Sequence, residues 1–327
     1  MRKLVSMSIL LIATLQLMSA EEPMAMIQAI ELPSVEGRID HLALDASGER
    51  LFVAALGNNT LEVLDLKSGT HLKSVQGFQE PQGVGFAPDF GAIIVANGQG
   101  KGIQAVDATD FGLTHAIALG DDSDNVRYDA NAKTIYVGYG NGALAAIDPA
   151  SWRVTGQVQL TGHPESFQLE QSGSRVFVNV PTAGHIAVVD RKTMKTVTTW
   201  AVTTAEANYP MALDEAHHRL FIGCRKPATV LVFDTTTGKQ VGSAPIVGDT
   251  DDMFFDARRN RLYVIGGEGF IDVLDTAASG SPSRVSRIDG APGARTGLLA
   301  PTKDHLYLAV PHRGAQRAEI RVYELHD

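Results

Sequence analysis

Apolar runs of roughly four to seven residues, rich in Val, Ile, Leu and aromatics, alternate with short polar turns carrying Gly, Asn and Asp along nearly the whole chain. Such runs bounded by turn residues predict β-strands joined by hairpins, and helical signals are scarce. Seven segments share one layout: a short alternating run, a polar turn, a second apolar run, a Gly/Asn tip and a third run. "HLALDASGERLFVAALGNNTLEVLDLKSG", "NVRYDANAKTIYVGYGNGALAAIDPAS" and "DMFFDARRNRLYVIGGEGFIDVLDTAA" show it in full; "GVGFAPDFGAIIVANG", "SFQLEQSGSRVFVNV", "MALDEAHHRLFIGC" and "GLLAPTKDHLYLAV" are four more copies.

The register is tight. The second run opens at Leu51, Ile93, Ile135, Val176, Leu220, Leu262 and Leu306, at intervals of 42, 42, 41, 44, 42 and 44 residues. The third run ends at Asp65, Asp107, Asp148, Asp190, Asp234 and Asp275, which reads as a set of turn-bracing aspartates. A fourth run follows each third one, as in "HLKSVQG" and "RVTGQVQL". Four short strands every 42 residues or so is the period of a β-propeller blade. The seventh copy stops at "AEIRVYELHD", one strand short, and "AMIQAIELP" at 25–33 has the character of the missing strand. The expected fold is therefore all-β: a seven-bladed propeller of four-stranded blades, closed by an N-terminal strand that completes the last blade. Its expected extent is one domain over residues 21–327.

The stretches "LFVAALGNNTLEVLDLKSG" and "LYVIGGEGFIDVLDT" resemble the YVTN-repeat β-propeller proteins of bacterial envelopes. The resemblance covers about residues 26–325, and the family's second-strand Asn stands only at Asn97 and Asn179. It implies a binding or scaffold protein; some related propellers are lactonases.

Residues 1–20, "MRKLVSMSILLIATLQLMSA", have a basic start, an apolar run and a small-residue finish, the layout of a secretory signal peptide. The apolar run is shorter than the roughly 20 residues of a membrane span. A periplasmic or secreted protein with no membrane span after leader removal is expected, and the expected state is a monomer. Losing Arg2 and Lys3 with the leader would take the net charge from −9 to −11. That charge opposes nucleic-acid binding, which rests on cationic contacts to phosphate. The single cysteine, Cys224 in "LFIGC", reads as a buried apolar residue. No C-x-x-C-H, zinc-type Cys/His cluster or G-x-S-x-G elbow occurs, and "NGQGKG" at 97–102 lies at a hairpin tip with no helix after it.

Two acidic stretches, "LGDDSDNVRYD" and "VGDTDDMFFD", hold the chemistry of interest. The first is not an EF-hand loop, since neither the sixth-position Gly nor the twelfth-position Glu follows Asp122. Counting back eleven residues from each second-run marker gives one column around the ring: Asp40, Gln82, Asp124, Glu165, Tyr209, Asp251 and Arg295. Two residues earlier stand Arg38, Asp122 and His163, and one residue later His41, Asn125 and Asp252. The acidic stretches thus become equivalent sites of blades 3 and 6, nearly across the channel from each other.

Three readings of this polar ring stay open. It is a solvated channel mouth, or a pocket for a small polar or cationic molecule or protein partner. Alternatively it is a metal site, with Asp40, Asp124, Glu165 and Asp251 offering oxygens to calcium. The expected ligand-binding set is Asp40, His41, Gln82, Asp122, Asp124, Asn125, His163, Glu165, Tyr209, Asp251, Asp252 and Arg295. The leading functional expectation is non-catalytic binding at this mouth. The alternative is a metal-dependent hydrolase of the lactonase kind, in which a metal polarises a carbonyl and a carboxylate or His163 moves the proton. Lactonase-type propellers use a compact acid and amide metal set; Asn125 and Asn208 match it in kind but not in register.

Overall fold

The computed structural model describes residues 22–327 except 101 and 279; the expected leader lies outside the described residues. Seven four-stranded antiparallel sheets are present. Blade 1 runs outward from the axis as Leu42–Leu44, Arg50–Ala55, Thr60–Asp65 and Thr70–Gln76. Blades 2 to 6 repeat that order, with inner strands Pro81–Ala87, Ser123–Asp129, Phe167–Leu169, Glu206–Asp214 and Thr250–Asp256. Blade 7 takes three strands from the C-terminal end, and its fourth is Met24–Glu31, antiparallel to Glu319–Leu325 with Met24 opposite Leu325 and Glu31 opposite Glu319. Ring closure by the N-terminal strand gives blade 7 its fourth strand, like the other six blades. Among the described residues no helix is long and apolar enough to cross a membrane.

The apolar runs of the second and third strands are continuous because both their faces are buried. Successive side chains point to opposite faces of a strand. In blade 1, Leu51, Val53 and Ala55 pack toward blade 7 while Phe52 and Ala54 pack toward blade 2. Repeating this gives seven apolar cores, one per interface between neighbouring blades. Outer strands are mostly exposed edges, and every one carries a register shift against its neighbour. Such bulges twist an edge away from the flat geometry another chain would need for pairing.

Polar side chains finish the turns. Asp65, Asp107, Asp148, Asp190, Asp234 and Asp275 each accept a backbone N–H two or three residues on, at 2.7–3.0 Å. In blades 1, 4 and 5 an arginine at the start of the second strand bonds an acid at the end of the inner strand: Arg50 with Asp45, Arg175 with Glu170, Arg219 with Asp214. The same guanidinium reaches into the next blade, to the carbonyls of Ala108, Thr235 and Thr276 respectively. Blades are therefore clipped together by charge-assisted bonds as well as by apolar cores.

Candidate functional site

Inner strands begin near one mouth of the channel, and the chain must turn sharply from the preceding outer strand to enter them. Glu80, Asp122, Ala207 and Asp249 make that turn in the left-handed region, at φ of 51°, 55°, 58° and 52°. Asp is among the few non-glycine residues that tolerate this conformation. The acidic stretches are thus turns leading into strands. A bulge follows in each, between Ser123 and Val126 and between Thr250 and Asp252. It re-aims side chains so that adjacent residues no longer alternate strictly between channel and core.

Ten of the twelve expected residues line one cavity of about 260 Å³: Asp40, His41, Gln82, Asp122, Asp124, His163, Glu165, Tyr209, Asp251 and Arg295. Arg38 and Arg225 complete its wall. The other two, Asn125 and Asp252, lie behind His41, with the Asn125 carboxamide 3.4 Å from Nε2 and Asp252 Oδ2 3.3 Å from Nδ1. His41 and Asp252 also border a second cavity of about 400 Å³ that follows the inner strands past Arg127, Phe86 and Phe254. His41 therefore divides the polar mouth from a more apolar stretch of channel.

Arg225 is the residue that column counting missed. Its Nη2 donates to Asp251 Oδ1 at 2.7 Å, its Nε donates to the Thr250 carbonyl at 2.8 Å, and its guanidinium lies 3.8 Å from the Tyr209 ring centroid. A signal existed at the end of the second strand. Five residues past each marker stand Leu56, Gly98, Gly140, Pro181, Arg225, Gly267 and Pro311, and only blade 5 has a charge there.

The mouth holds several ion pairs. Arg38 bonds Asp40 at 3.0 Å and Arg295 bonds Asp249 at 3.0 Å. Buried His41 faces Asp252 at 3.3 Å, Asp124 at 3.5 Å and Asp40 at 3.8 Å. Burial disfavours the charged imidazole, but those three carboxylates outweigh it and hold the His41 pKa well above its ordinary value. Burial also opposes ionisation of Asp124, yet the close approach of His41 and the charges of His163 and Arg127 hold that carboxyl below the usual range.

The remaining acids go the other way. Burial, with the like charges of Asp124 and Asp251, pushes Asp40 up to about 7 against the pull of His41 and Arg38. Asp251 rises to about 6, chiefly by burial. Glu165 rises furthest, to about 9, through burial and then the charges of Asp124 and Asp251. Among the described residues its carboxyl has neither an ion pair nor a hydrogen bond.

Asp124, His163 and Glu165 bring a ligand atom each to within 4.8 Å of one another. Asp40 and Asp251, the other two residues expected to offer oxygens to a metal, stand outside this trio and bond Arg38 and Arg225 instead. The lining of the mouth contains no Ser, Thr or Cys among the described residues, so it offers no hydroxyl or thiol nucleophile of those types. Cys224 is fully buried in the core between blades 4 and 5.

No protein-family model and no curated protein sequence matches the chain. In structure it is similar to a chain of the Kuenenia stuttgartiensis hydrazine synthase, with TM-score 0.73 and 16% identity over 84% of this chain and 94% of that one. It is also similar to a chain of the mitotic checkpoint complex, with TM-score 0.78 and 12% identity over 98% and 99%. As many as 1819 solved chains match, so the likeness fixes the propeller class and leaves function to the site.

Proposed function

We propose that this chain is an exported, monomeric propeller of the YVTN-repeat kind that holds a small, positively charged or polar ligand in one channel mouth without transforming it. The observation that carries this reading is Glu165. Its carboxyl faces a 260 Å³ cavity beside Asp124 and Asp251, and among the described residues no cation forms an ion pair with it. A ligand cation would relieve that crowding of acids, and the cavity has room for one small molecule. The test is thermal unfolding with putrescine and agmatine as probes. A ligand at a hundredfold excess over its Kd adds about 2.7 kcal/mol, roughly 5 °C in a chain of this size. That shift should vanish in the Asp124→Ala/Asp251→Ala variant while its far-UV spectrum stays unchanged. An equal shift in the double variant, or none in the parent protein, sinks the reading.

The clustering of Asp124, His163 and Glu165 favours a second reading, a metal-dependent hydrolase of the lactonase kind. A divalent ion held there would polarise a lactone carbonyl. Hydrolysis of a lactone panel, measured with and without added divalent ions and lost in Glu165→Gln, would replace the first reading with this one.

A further inference from the structure

We propose that Asp124, His163 and Glu165 form a site for a divalent ion of the zinc class, set in the mouth between blades 3 and 4. This rests on the reading of the mouth as a cation-binding site and names the ion it takes.

His163 makes the first argument. Its Nδ1 lies 2.7 Å from the carbonyl oxygen of Gly140. A carbonyl only accepts, so the proton sits on Nδ1 and donates to it, leaving the lone pair on Nε2. Metal-binding histidines are oriented in this way, with the other ring nitrogen donating to a carbonyl or carboxylate. Gly140 is itself fixed: it sits at φ 62°, and its N–H donates to the carbonyls of Asp121 and Asp122 at 3.0 and 3.1 Å. The acidic turn of blade 3 thereby holds the carbonyl that orients the imidazole of blade 4.

Asp124 makes the second. It is only 7% exposed, and among the described residues its Oδ1 has no hydrogen-bond partner; His41 Nε2 stands 3.5 Å from it. Glu165 is anchored by its main chain, whose N–H donates to the Asn179 carbonyl at 3.0 Å. Asn179 is fully buried and ties blade 4 to the Tyr209 and Pro210 carbonyls of blade 5. The three donors sit on strand ends and braced turns, and small rotamer changes would bring them onto one ion at bonds of about 2.0–2.2 Å.

The donor set selects the ion. Calcium takes six to eight oxygens, whereas this trio supplies one imidazole and two carboxylates, and Asp40 and Asp251 are engaged by arginines. Imidazole with carboxylate suits zinc and its neighbours. Three protein ligands leave coordination positions open toward the cavity.

The experiment uses tag-free protein stripped with chelator and titrated calorimetrically with Zn²⁺ alone. One equivalent should bind. His163→Ala and Glu165→Gln, each with an unchanged far-UV spectrum, should weaken it by about 100-fold or more, since even losing an outer partner of a ligand costs 10–100-fold. Co²⁺ in the parent protein should show the intense visible bands of a four- or five-coordinate site, which tests the proposal even where a variant fails to fold. No uptake, equal uptake by His163→Ala, Co²⁺ bands as weak as those of the hydrated ion, or binding of Ca²⁺ in place of Zn²⁺ would overturn it. If Zn²⁺ fails and the putrescine shift persists, only this inference falls; if both fail, the reading of the mouth falls with it.

Discussion

His41 Nδ1, on the inner rim of blade 1, stands 3.3 Å from Asp252 Oδ2 on blade 6. Its Nε2 is 3.5 Å from Asp124 on blade 3. One imidazole thus joins three blades across the channel and offsets three largely buried carboxylates, since Asp40 is also within 3.8 Å. Removing one partner of a buried charge cluster typically costs 3–5 kcal/mol, because the other charges stay desolvated and unpaired. We expect His41→Ala to lower the stability by about 3 kcal/mol in urea unfolding with the m-value unchanged. A loss under about 0.5 kcal/mol, the range of an indifferent surface site, would mean that the carboxylates find solvent without the imidazole.

Ring integrity depends on a different relationship. Arg219 donates to Asp214 through Nε at 2.9 Å and Nη2 at 2.6 Å, and through Nη1 to the Thr276 carbonyl of blade 6. The Asp214 side chain is 2% exposed, so water cannot replace the guanidinium, and His217 Nδ1 at 3.0 Å is the neighbour that stays. Arg219→Met keeps a side chain of similar length and deletes the charged guanidinium, which lies 5.5 Å from the Phe221 ring centroid. A loss of about 3 kcal/mol is expected by chemical denaturation. Double substitution with Asp214→Asn should restore part of it, and full additivity of the two losses would show that the pair is not coupled.

The strands and their ring order were legible because a blade repeats a strong physical pattern: two-sided burial, turn-bracing Asp and a spacing near 42 residues. The location of the mouth residues was legible for the same reason, since equivalent positions in a closed ring converge on the axis. Depth was not. Strict alternation would send one of Asp251 and Asp252 into an inter-blade core, and the bulge at Thr250/Asp252 lets both face polar surroundings. The sorting of acids also escaped the columns. Arg225 claims Asp251 from another strand, and Arg38 claims Asp40, which leaves Asp124 and Glu165 with His163 as the ligand-like trio. Such partner choices depend on side-chain reach, which no periodicity encodes.

Glu62, in the third strand of blade 1, gives a pH dependence away from the mouth. It is fully buried and accepts from Ser74 Oγ at 2.6 Å and from Thr60, with His71 Nε2 also at 2.6 Å. Burial raises its pKa, but the bonds from His71, Ser74 and Thr60 outweigh burial and bring it below the usual glutamate value. A group with a lowered folded-state pKa stabilises above its unfolded value and loses that contribution as pH falls through the folded one. The parent protein should therefore exceed Glu62→Gln in stability at neutral pH, and the gap should shrink as pH drops below about 4.3, the ordinary glutamate pKa. Urea midpoints of the two proteins across that range are the measurement; a constant gap would rule out the ionised carboxylate as its source.

Gly83 joins backbone packing to the mouth. It precedes Val84 on the inner strand of blade 2, and a Cβ placed on it would run into the Asp124 carbonyl oxygen and crowd Val126. Neither neighbour is the free end of a flexible side chain, so the inner strands of blades 2 and 3 would have to separate. Forcing extra carbon into a packed site costs about 1–3 kcal/mol, and here the displaced atom belongs to the main chain that carries the Asp124 carboxylate. Gly83→Ala should lower the melting temperature by several degrees and weaken Zn²⁺ uptake. Gly77→Ala serves as a control: its added Cβ has no atom within 4 Å, and although its φ of 108° adds backbone strain, it should leave Zn²⁺ affinity unchanged. The two variants separate a general loss of stability from a displaced ligand, because only the first moves Asp124. Equal Zn²⁺ affinity in both would mean that Asp124 reaches the ion from a main chain free to shift, and that the blade 2 contact does not set its position.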